Sequence, residues 1–298
     1  MMSSSSWAAS DRPLVFAHRG GSRLAPENTL AAFDRAVAEG VDGLELDVRL
    51  SRDGEVVVCH DARLERTCDA TGAIADLMTW ELGQVDAGYR FTPGDGTHPF
   101  RGCGFSVPLL RDVVRRYPGT LLIVELKVDT PAMAKAAVEV IREERARDRV
   151  CFGSFYTDVL QQVRRLEPSS TTSGGRSEVF MAVMAARLGF LPPFRRYRAL
   201  QVPVSRENTL VVTPGLLRGA RRAGVPVQVW IVDRPKDIRR LLAMGVSGII
   251  TDRPDVAVRV VADFAAGPPP DRSRRAPSAD ARVGPVTGAT SPAPGTRS

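Results

Sequence analysis

The chain has 298 residues, 43% of them hydrophobic, and its 41 basic and 34 acidic residues give a net charge of +7. This length and composition can bury one substantial core, which excludes wholesale disorder, a collagen helix and a coiled coil. No stretch of the sequence approaches the roughly 20 uncharged apolar residues that a bilayer span requires, and no secretory signal is visible. The four cysteines have unrelated spacings, which suits a reducing compartment. We therefore expect a soluble, cytoplasmic protein.

The two ends of the chain differ in composition from its middle. Residues 1–13 are a polar stretch that we expect to form a flexible leader. Residues 267–298 are dense in Pro, Ser, Ala and Arg and have almost nothing to bury, so a disordered tail is expected there. Residues 14–266 remain as a single domain.

Short β-branched runs recur along this domain, with helical patterns between most of them. They span residues 14–17, 43–48, 56–59, 121–126, 150–154, 199–202, 227–232 and 247–251, with a weaker candidate at 171–173. After the first run, residues 30–37 have helical spacing, with Asn28 or Thr29 as the N-cap and Gly40 as the C-cap. Alternating units of this number predict an α/β fold, a TIM-type (β/α)8 barrel rather than a doubly wound sheet, because no dinucleotide-binding or Walker loop is present.

The second and third strand candidates are joined unusually closely. Residues 49–55 are too few for a helical crossover, so these two strands should form a hairpin that turns at the Asp-Gly dipeptide 53–54. Such a turn pairs residues whose numbers sum to about 106. It sets Asp47 opposite residues 58–59 and brings the carboxylates of the second strand beside His60.

Two of the three histidines directly follow apolar strands. His18 comes after the first strand and His60 after the third, whereas His98 lies in a polar loop and is expected at the surface. In a barrel, polar side chains at the carboxyl ends of strands converge on the face that holds the active site. His18 and His60 are therefore the candidate acid and base.

Carboxylates interrupt two of the apolar strands. Glu45 and Asp47 alternate with apolar residues and so point to one side of their strand, and Glu125 interrupts a later strand two residues before Lys127. Acids gathered in an enclosed site repel one another unless a cation lies between them. Three carboxylates without zinc-type spacing predict Mg²⁺ or Ca²⁺. The alternative is that each acid pairs with one of the many arginines.

This set of groups suits chemistry at phosphorus. A divalent ion polarises a phosphoryl oxygen, Arg19 and Lys127 neutralise the remaining negative charge, and the two histidines act as base and acid. The residues thus predict a metal-assisted phosphodiesterase.

A series of short motifs runs in order through the domain. The motifs are His18-Arg19-Gly20, Pro26-Glu27-Asn28-Thr29, Glu45-Leu46-Asp47-Val48, Asp53-Gly54 with His60-Asp61, Glu125-Leu126-Lys127, Trp230-Ile231-Val232-Asp233 and the run from Gly248 to Pro254. Together they resemble the glycerophosphodiester phosphodiesterase family over residues 14 to 258. The resemblance implies a TIM-type barrel with a small insertion after the third strand, here about residues 66–107.

The resemblance also implies a role for each site residue. Glu45, Asp47 and Glu125 would hold the metal, His18 and His60 would exchange protons, Arg19 and Lys127 would contact phosphate, and Trp230 would wall the substrate pocket or else belong to the barrel core. Family members cleave glycerophosphodiesters, such as glycerophosphocholine, to glycerol 3-phosphate and an alcohol. In the mechanism proposed for the family, the glycerol 2-hydroxyl attacks phosphorus and water opens the resulting cyclic phosphate. We expect His60 to be the first base, with Glu27 and Asn28 as candidates to brace His18 or Arg19.

Other functions are also compatible with the sequence. A lysophospholipase D or phosphatidylinositol-cleaving phospholipase would keep the site and change the substrate, and residues 178–199 mix apolar residues with arginines as a membrane-docking segment would. For that segment we favour a barrel helix followed by a proline-terminated loop. A non-enzymatic scaffold that binds acidic partners is the remote alternative. The arginines are dispersed and aromatics are only 6% of the chain, so no nucleic-acid partner is expected and the partner is a small-molecule substrate.

Overall fold

The computed structural model describes residues 10, 12–193, 195–207 and 209–267. Within it, the chain up to Ala266 is one compact unit. The tail predicted from residue 267 onward lies outside the described residues except for Gly267, as do residues 1–9 and 11 of the predicted leader.

Eleven strands occur in the part of the chain that the structure describes. They are β1 Leu14–His18, β2 Gly43–Leu50, β3 Val56–Val58, β4 Leu121–Leu126, β5 Val150–Gly153, β6 Thr171–Thr172, β7 Leu200–Pro203, β8 Ser205–Arg206, β9 Thr209–Leu210, β10 Val227–Trp230 and β11 Gly248–Thr251. All nine strand candidates of the sequence are present, including the weak one at residues 171–173. The run predicted to reach residue 232 ends as a strand at Trp230, although the N–H of Val232 still donates to the carbonyl of Ile250 (3.1 Å).

Eight of these strands form a curled parallel sheet in the order β6-β5-β4-β2-β1-β11-β10-β7. A single parallel bridge between Ser173 and Ala199 links the two edges of the sheet. The TIM-like α/β fold predicted from the sequence is thereby confirmed. The carboxyl ends of all eight strands point to one face.

Helices follow most of the strands and cover the outside of the sheet. They are α1 Leu30–Ala38, α2 Thr79–Leu82, α3 Leu110–Arg116, α4 Pro131–Glu143, α5 Thr157–Leu166, α6 Arg176–Ala186, α7 Pro214–Arg222, α8 Pro235–Met244 and α9 Pro254–Ala266, with 3₁₀ turns at Ile74–Asp76 and Arg147–Arg149. The main apolar core lies between the sheet and these helices. A smaller apolar layer that includes Phe16 and Ile250 fills the inside of the sheet. In the described residues, no helix combines the length and apolarity needed to cross a bilayer.

The predicted hairpin is present and in the predicted register. β2 pairs antiparallel with β3, Val48 opposite Val58 and Leu50 opposite Val56, so the paired numbers sum to 106. The N–H of Cys59 donates to the carbonyl of Asp47 (2.9 Å), which continues the pairing by one step. This contact brings the following residue, His60, to the face where the β2 carboxylates lie.

Asn28 and Thr29, just before α1, have different structural roles. The Thr29 hydroxyl accepts from the N–H of Ala32 (3.3 Å) and is the N-cap. Asn28 precedes it with a φ of +58°, a left-handed conformation that asparagine tolerates better than most residues. The side chain of Asn28 is therefore available for the site. At the other end of the helix the C-cap is Glu39, not Gly40 as predicted, and Gly40, with a φ of +85°, follows it.

A segment with a core of its own separates β3 from α3. It contains α2 and the 3₁₀ turn at Ile74–Asp76, and its buried residues include Leu64, Cys68 and Leu82. Val57 of β3 belongs to the same cluster, which fixes the segment to the hairpin. The predicted insertion at residues 66–107 falls inside this segment.

Replacing Gly43 by alanine is expected to lower the free energy of unfolding by about 3 kcal/mol. Gly43 opens β2, and a Cβ there would lie 2.4 Å from the ring of Phe16 and 2.8 Å from the carbonyl oxygen of Leu121. Denaturant titration measures the change. The control is Gly119→Ala, where a Cβ would meet nothing within 4 Å. Equal unfolding midpoints for the two variants would contradict the close packing of β1 on β2.

Candidate active site

One cavity at the carboxyl ends of the strands collects all the site residues predicted from the sequence. The cavity has a volume of about 570 Å³. Its lining includes His18, Arg19, Glu45, Asp47, His60, Glu125, Lys127 and Trp230. The ring of Trp230 packs edge-on against Phe155 (5.9 Å between centroids) at the wall of this cavity.

The three predicted carboxylates form one cluster. Asp47 of β2 lies directly opposite Glu125 of β4 in the parallel ladder, and Glu45 lies one pleat earlier on the same face. Each residue offers an oxygen, and these oxygens all lie within 4.8 Å of one another. Glu45 and Asp47 are buried. Such a cluster could hold a metal ion, because oxygen ligands at this spacing suit a hard cation.

Burial and nearby charges shift the pKa values of the three carboxyl groups in different directions. Burial, and then the charge of Asp47, raise the pKa of Glu45 to about 8. Burial likewise raises the pKa of Glu125, against the attraction of Lys127. The pKa of Asp47 is lowered despite its burial, because Lys127 and Arg19 lie close to it. A cation between these groups would favour the charged form of all three.

Two basic residues share the cluster. Lys127 Nζ lies 3.2 Å from Asp47 Oδ1 and 3.3 Å from Glu125 Oε1. The backbone N–H of Arg19 donates to Glu45 Oε2 (3.0 Å), and its guanidinium Nε lies 3.1 Å from Asp47 Oδ2 without the alignment of a hydrogen bond. The alternative of simple ion pairing therefore holds in part for Asp47 and Glu125. Among the described residues, no lysine or arginine side chain pairs with Glu45.

His18 is held by a carboxylate from the last strand of the sheet. Its Nδ1 lies 2.7 Å from Asp252 Oδ1, and since a carboxylate only accepts, Nδ1 carries the hydrogen. Its Nε2 is directed into the cluster, 3.9 Å from Glu45 Oε2. Burial lowers the pKa of His18, but the charge of Glu45 and the hydrogen bond to Asp252 outweigh burial and raise it overall.

His60 is held in the same way by its neighbour in sequence. Its Nδ1 lies 2.6 Å from Asp61 Oδ1, and Asp61 also pairs with Arg66. Burial lowers the pKa of His60 more than the charge of Asp47 raises it. The third histidine, His98, is exposed, as predicted, and bonds the carbonyl of Phe91 (2.9 Å).

Both bracing residues proposed from the sequence contact the site. Glu27 accepts from the guanidinium of Arg19 (2.9 Å) and from Arg66 (2.7 and 2.8 Å). The Asn28 amide donates to Asp47 Oδ2 (2.9 Å), and its carbonyl accepts from the N–H of Asp47 (3.3 Å). Glu27 thus orients Arg19 as expected, whereas Asn28 orients Asp47 instead of His18.

Sequence reasoning did not assign a role to several residues that the fold brings to the site. Asp61 and Asp252 were seen only as parts of motifs, although an acidic residue directly after a site histidine was a usable signal for Asp61. Asp252 follows β11, which neighbours β1, so the strand order identifies it. Gln201 and Arg176 also line the cavity, and neither had a signal in the sequence.

The arrangement supports acid and base chemistry beside a cation. Each histidine is oriented through Nδ1, which leaves Nε2 free to exchange a proton with a bound molecule. The carboxylate cluster and the flanking basic residues would bind a metal ion together with an anionic group.

Comparison with known proteins agrees with this reading. The sequence model of the glycerophosphoryl diester phosphodiesterase family matches residues 18–256. A glycerophosphodiester phosphodiesterase of Caldanaerobacter subterraneus subsp. tengcongensis is 30% identical over 255 residues, which cover 84% of this chain and 98% of that protein.

Solved structures resemble the fold as well. The glycerophosphoryl diester phosphodiesterase domain of a Mycobacterium tuberculosis protein superposes with a TM-score of 0.74 at 24% identity, over 84% of this chain and 98% of that one. An Oleispira antarctica phosphodiesterase, solved with the product sn-glycerol-3-phosphate, gives a TM-score of 0.68 at 26% identity, over 86% and 99% of the two chains. With the family match covering residues 18–256 and all the predicted site residues lining one cavity, the chain belongs to the glycerophosphoryl diester phosphodiesterase family and is an enzyme of that class.

Proposed function

We propose that the protein hydrolyses glycerophosphodiesters, such as glycerophosphocholine or glycerophosphoethanolamine, to glycerol 3-phosphate and an alcohol. The observation that supports this most is the pair of oriented histidines, His18 and His60, facing one cavity that also contains three carboxylates. Membership of the family supports the class of reaction, and the lining of the cavity supports the choice of residues.

In this proposal Glu45, Asp47 and Glu125 hold one Mg²⁺ or Ca²⁺ ion. The donor set fits, since it consists of closely spaced carboxylate oxygens without sulfur or imidazole. When bound, the ion would polarise a phosphoryl oxygen. Lys127 and Arg19 border the same carboxylates and would exchange part of that pairing for contacts with the phosphate.

The two histidines carry the protons. One ring removes the proton of the glycerol 2-hydroxyl as its oxygen attacks phosphorus, and the other ring protonates the alcohol oxygen as its bond to phosphorus breaks. The product of this step is a cyclic phosphate. Water then opens it with the roles of the rings exchanged. Trp230 and Phe155 would wall the part of the cavity that receives the organic groups.

The test is release of glycerol 3-phosphate from glycerophosphocholine and glycerophosphoethanolamine, measured with Mg²⁺, Ca²⁺ or a chelator. Release that requires a divalent ion and is lost in His18→Ala and Glu45→Ala is expected. No release by folded, metal-loaded wild type would contradict the proposal.

A second substrate class is favoured by one observation. A trough of about 1170 Å³ continues from the catalytic cavity along α6, lined in part by Tyr156, Phe180 and Met184. The apolar part of this trough is large enough to suit the acyl chain of a lysophospholipid, although charged residues such as Asp129, Asp158 and Arg187 line the rest. Lysophospholipase D activity would be seen as release of the head group from lysophosphatidylcholine, and its absence beside strong glycerophosphocholine cleavage would contradict this candidate.

Asp252→Asn is expected to lower kcat at least about tenfold with little change in KM. The amide holds the Nδ1–H tautomer of His18 less strongly than the carboxylate does, and it has no charge that raises the pKa of His18. The part of the pH profile that depends on His18 should therefore move to lower pH. The measurement is kcat against pH. Asp255→Asn is the matched control, because Asp255 pairs only with arginines outside the cavity. An unshifted pH profile would contradict the positioning role.

A further inference from the structure

Helix α6 is apolar on its outer side as well as its inner one. Its inner residues, Ala182 and Ala186, are buried. The large apolar residues exposed on α6 and just after it are Phe180, Met181, Met184, Leu188 and Phe190. We call these five residues the α6 surface. Helices on the outside of soluble proteins normally turn a polar face to water, so an apolar outer side indicates a contact with something else.

The α6 surface stands beside the mouth of the catalytic cavity. Arg176 and Val179 in the first turn of α6 line that cavity. At the other end of the helix, the carbonyl of Ala186 lies only 2.6 Å from where a Cβ of Gly215 would be, at the beginning of α7. The end of α6 therefore meets the start of α7, and the segment after α6 packs on α7, since the backbone of Phe190 lies 3.1 Å from where a Cβ of Gly219 would be.

The stretch of sequence that contains this surface is strongly basic. Residues 176–222 contain nine arginines, no lysine or aspartate, and two glutamates, a net charge of +7 that equals the excess of the whole chain. Of the glutamates, Glu178 is already paired with Arg164. Within the described residues, none of the nine arginines has a carboxylate oxygen within 4.0 Å. Arg195 donates to the carbonyls of Pro192 and Ala223, and Arg222 to that of Gly189, but none of these partners is charged, so the cations can still bind an external anion.

We propose that the α6 surface docks on an anionic lipid bilayer. Exposed apolar side chains enter the boundary between head groups and acyl chains, and unpaired arginines bind lipid phosphates, which is how peripheral helices bind membranes. A second copy of this chain fits less well, because a symmetric dimer through this face would set like charges against each other. The trough on the cavity side of α6 is lined in part by acidic residues, namely Asp129, Asp158 and Glu207.

Docking would turn the catalytic mouth toward the membrane. The inference does not rest on the proposed hydrolysis, because binding can be measured without turnover. Phe180 and Met184 belong to both the α6 surface and the trough, whereas Met181, Leu188 and Phe190 do not line the trough.

The test is co-sedimentation of the full chain with vesicles in the presence of a chelator. Vesicles of phosphatidylcholine alone are compared with vesicles that contain about one third phosphatidylglycerol. Binding is expected only to the anionic vesicles and should weaken as salt is added. Met181→Ser with Leu188→Ser is expected to reduce binding at least about tenfold, and Arg187→Gln with Arg222→Gln about tenfold or more.

Matched controls separate docking from general stickiness. Trp80→Ser removes a side chain that is 66% exposed in the insertion, and Arg145→Gln with Arg147→Gln removes two charges between α4 and β5. Both should bind like wild type, and all variants should keep its unfolding temperature. Wild type that stays in the supernatant at low salt would overturn the proposal. A dimer in sedimentation velocity that the Met181 and Leu188 changes abolish would overturn it in favour of a second copy.

Discussion

Replacing His18 by alanine is expected to slow the release of choline from glycerophosphocholine by about 10³-fold, and to slow cleavage of a glycerol phosphodiester of p-nitrophenol much less. Choline needs a proton as its bond to phosphorus breaks, whereas p-nitrophenolate leaves without one. With His60 as the first base, His18 is the group that supplies this proton. The measurement is the rate of alcohol release in a single turnover for both substrates, with wild type and variant at the same pH, because in the proposed mechanism His18 also acts in the later opening of the cyclic phosphate.

His60→Ala gives the complementary result. The proton of the attacking hydroxyl must be removed whatever the leaving group, so both substrates should slow by a similar factor. His98→Ala is the control, since His98 is exposed outside the cavity, and it should leave both rates unchanged. If the good leaving group rescues His60→Ala and not His18→Ala, the order of the two roles is the reverse.

The surroundings of the two rings explain why this order is expected. Both rings are held through Nδ1 by an aspartate, so orientation alone does not distinguish them. Glu45 and Asp252 favour the charged ring of His18 and raise its pKa, which suits a group that begins as the acid. Burial lowers the pKa of His60 below its ordinary value, which suits a ring that begins neutral and accepts a proton.

The parts of the fold that depend on local patterns could be predicted from the sequence. The register of the β2–β3 hairpin follows from the turn at residues 53–54, and a slip by one residue would turn the apolar face of each strand to the other side. The apolar runs correctly predicted the strands, and even the weak run at residues 171–173 contains one.

Other parts depend on contacts between distant segments. Asp252 approaches His18 only because β11 pairs with β1, and Asn28 reaches Asp47 only because its own left-handed backbone turns it away from the cap position. The outward face of α6 is a similar case. The sequence predicts that its apolar residues belong to a barrel helix, and only the packing of the folded chain shows that several of them remain exposed.

Glu45→Gln is expected to reduce activity by about 10³-fold, the second large effect. The amide has nearly the same volume and can still accept from the backbone N–H of Arg19, so the fold should be retained. It lacks the charge that would help to hold a divalent cation. The measurement is kcat/KM across a titration of Mg²⁺ and of Ca²⁺. Glu139→Gln, an isosteric change of an exposed residue on α4, is the control.

The same variant should be more stable than wild type when no metal is bound, and increasingly so at high pH. The pKa of Glu45 rises from its ordinary value of 4.5 to about 8 in the folded chain. A carboxyl with a raised pKa contributes stability below 4.5 that is lost as the pH rises through about 8. Glutamine does not titrate, so in a chelator the unfolding temperature of the variant should fall less over this range.

Added divalent cation should reverse the order. In wild type, a cation held by Glu45, Asp47 and Glu125 would compensate their repulsion, so the unfolding temperature should rise on adding Mg²⁺ or Ca²⁺. The rise should grow as the pH increases through about 8, because at lower pH the cation must displace a proton from Glu45. Glu45→Gln should show little of this rise. A cation that stabilised wild type and Glu45→Gln equally would be bound somewhere else, and the three carboxylates would then have to be explained by Lys127 and Arg19 alone.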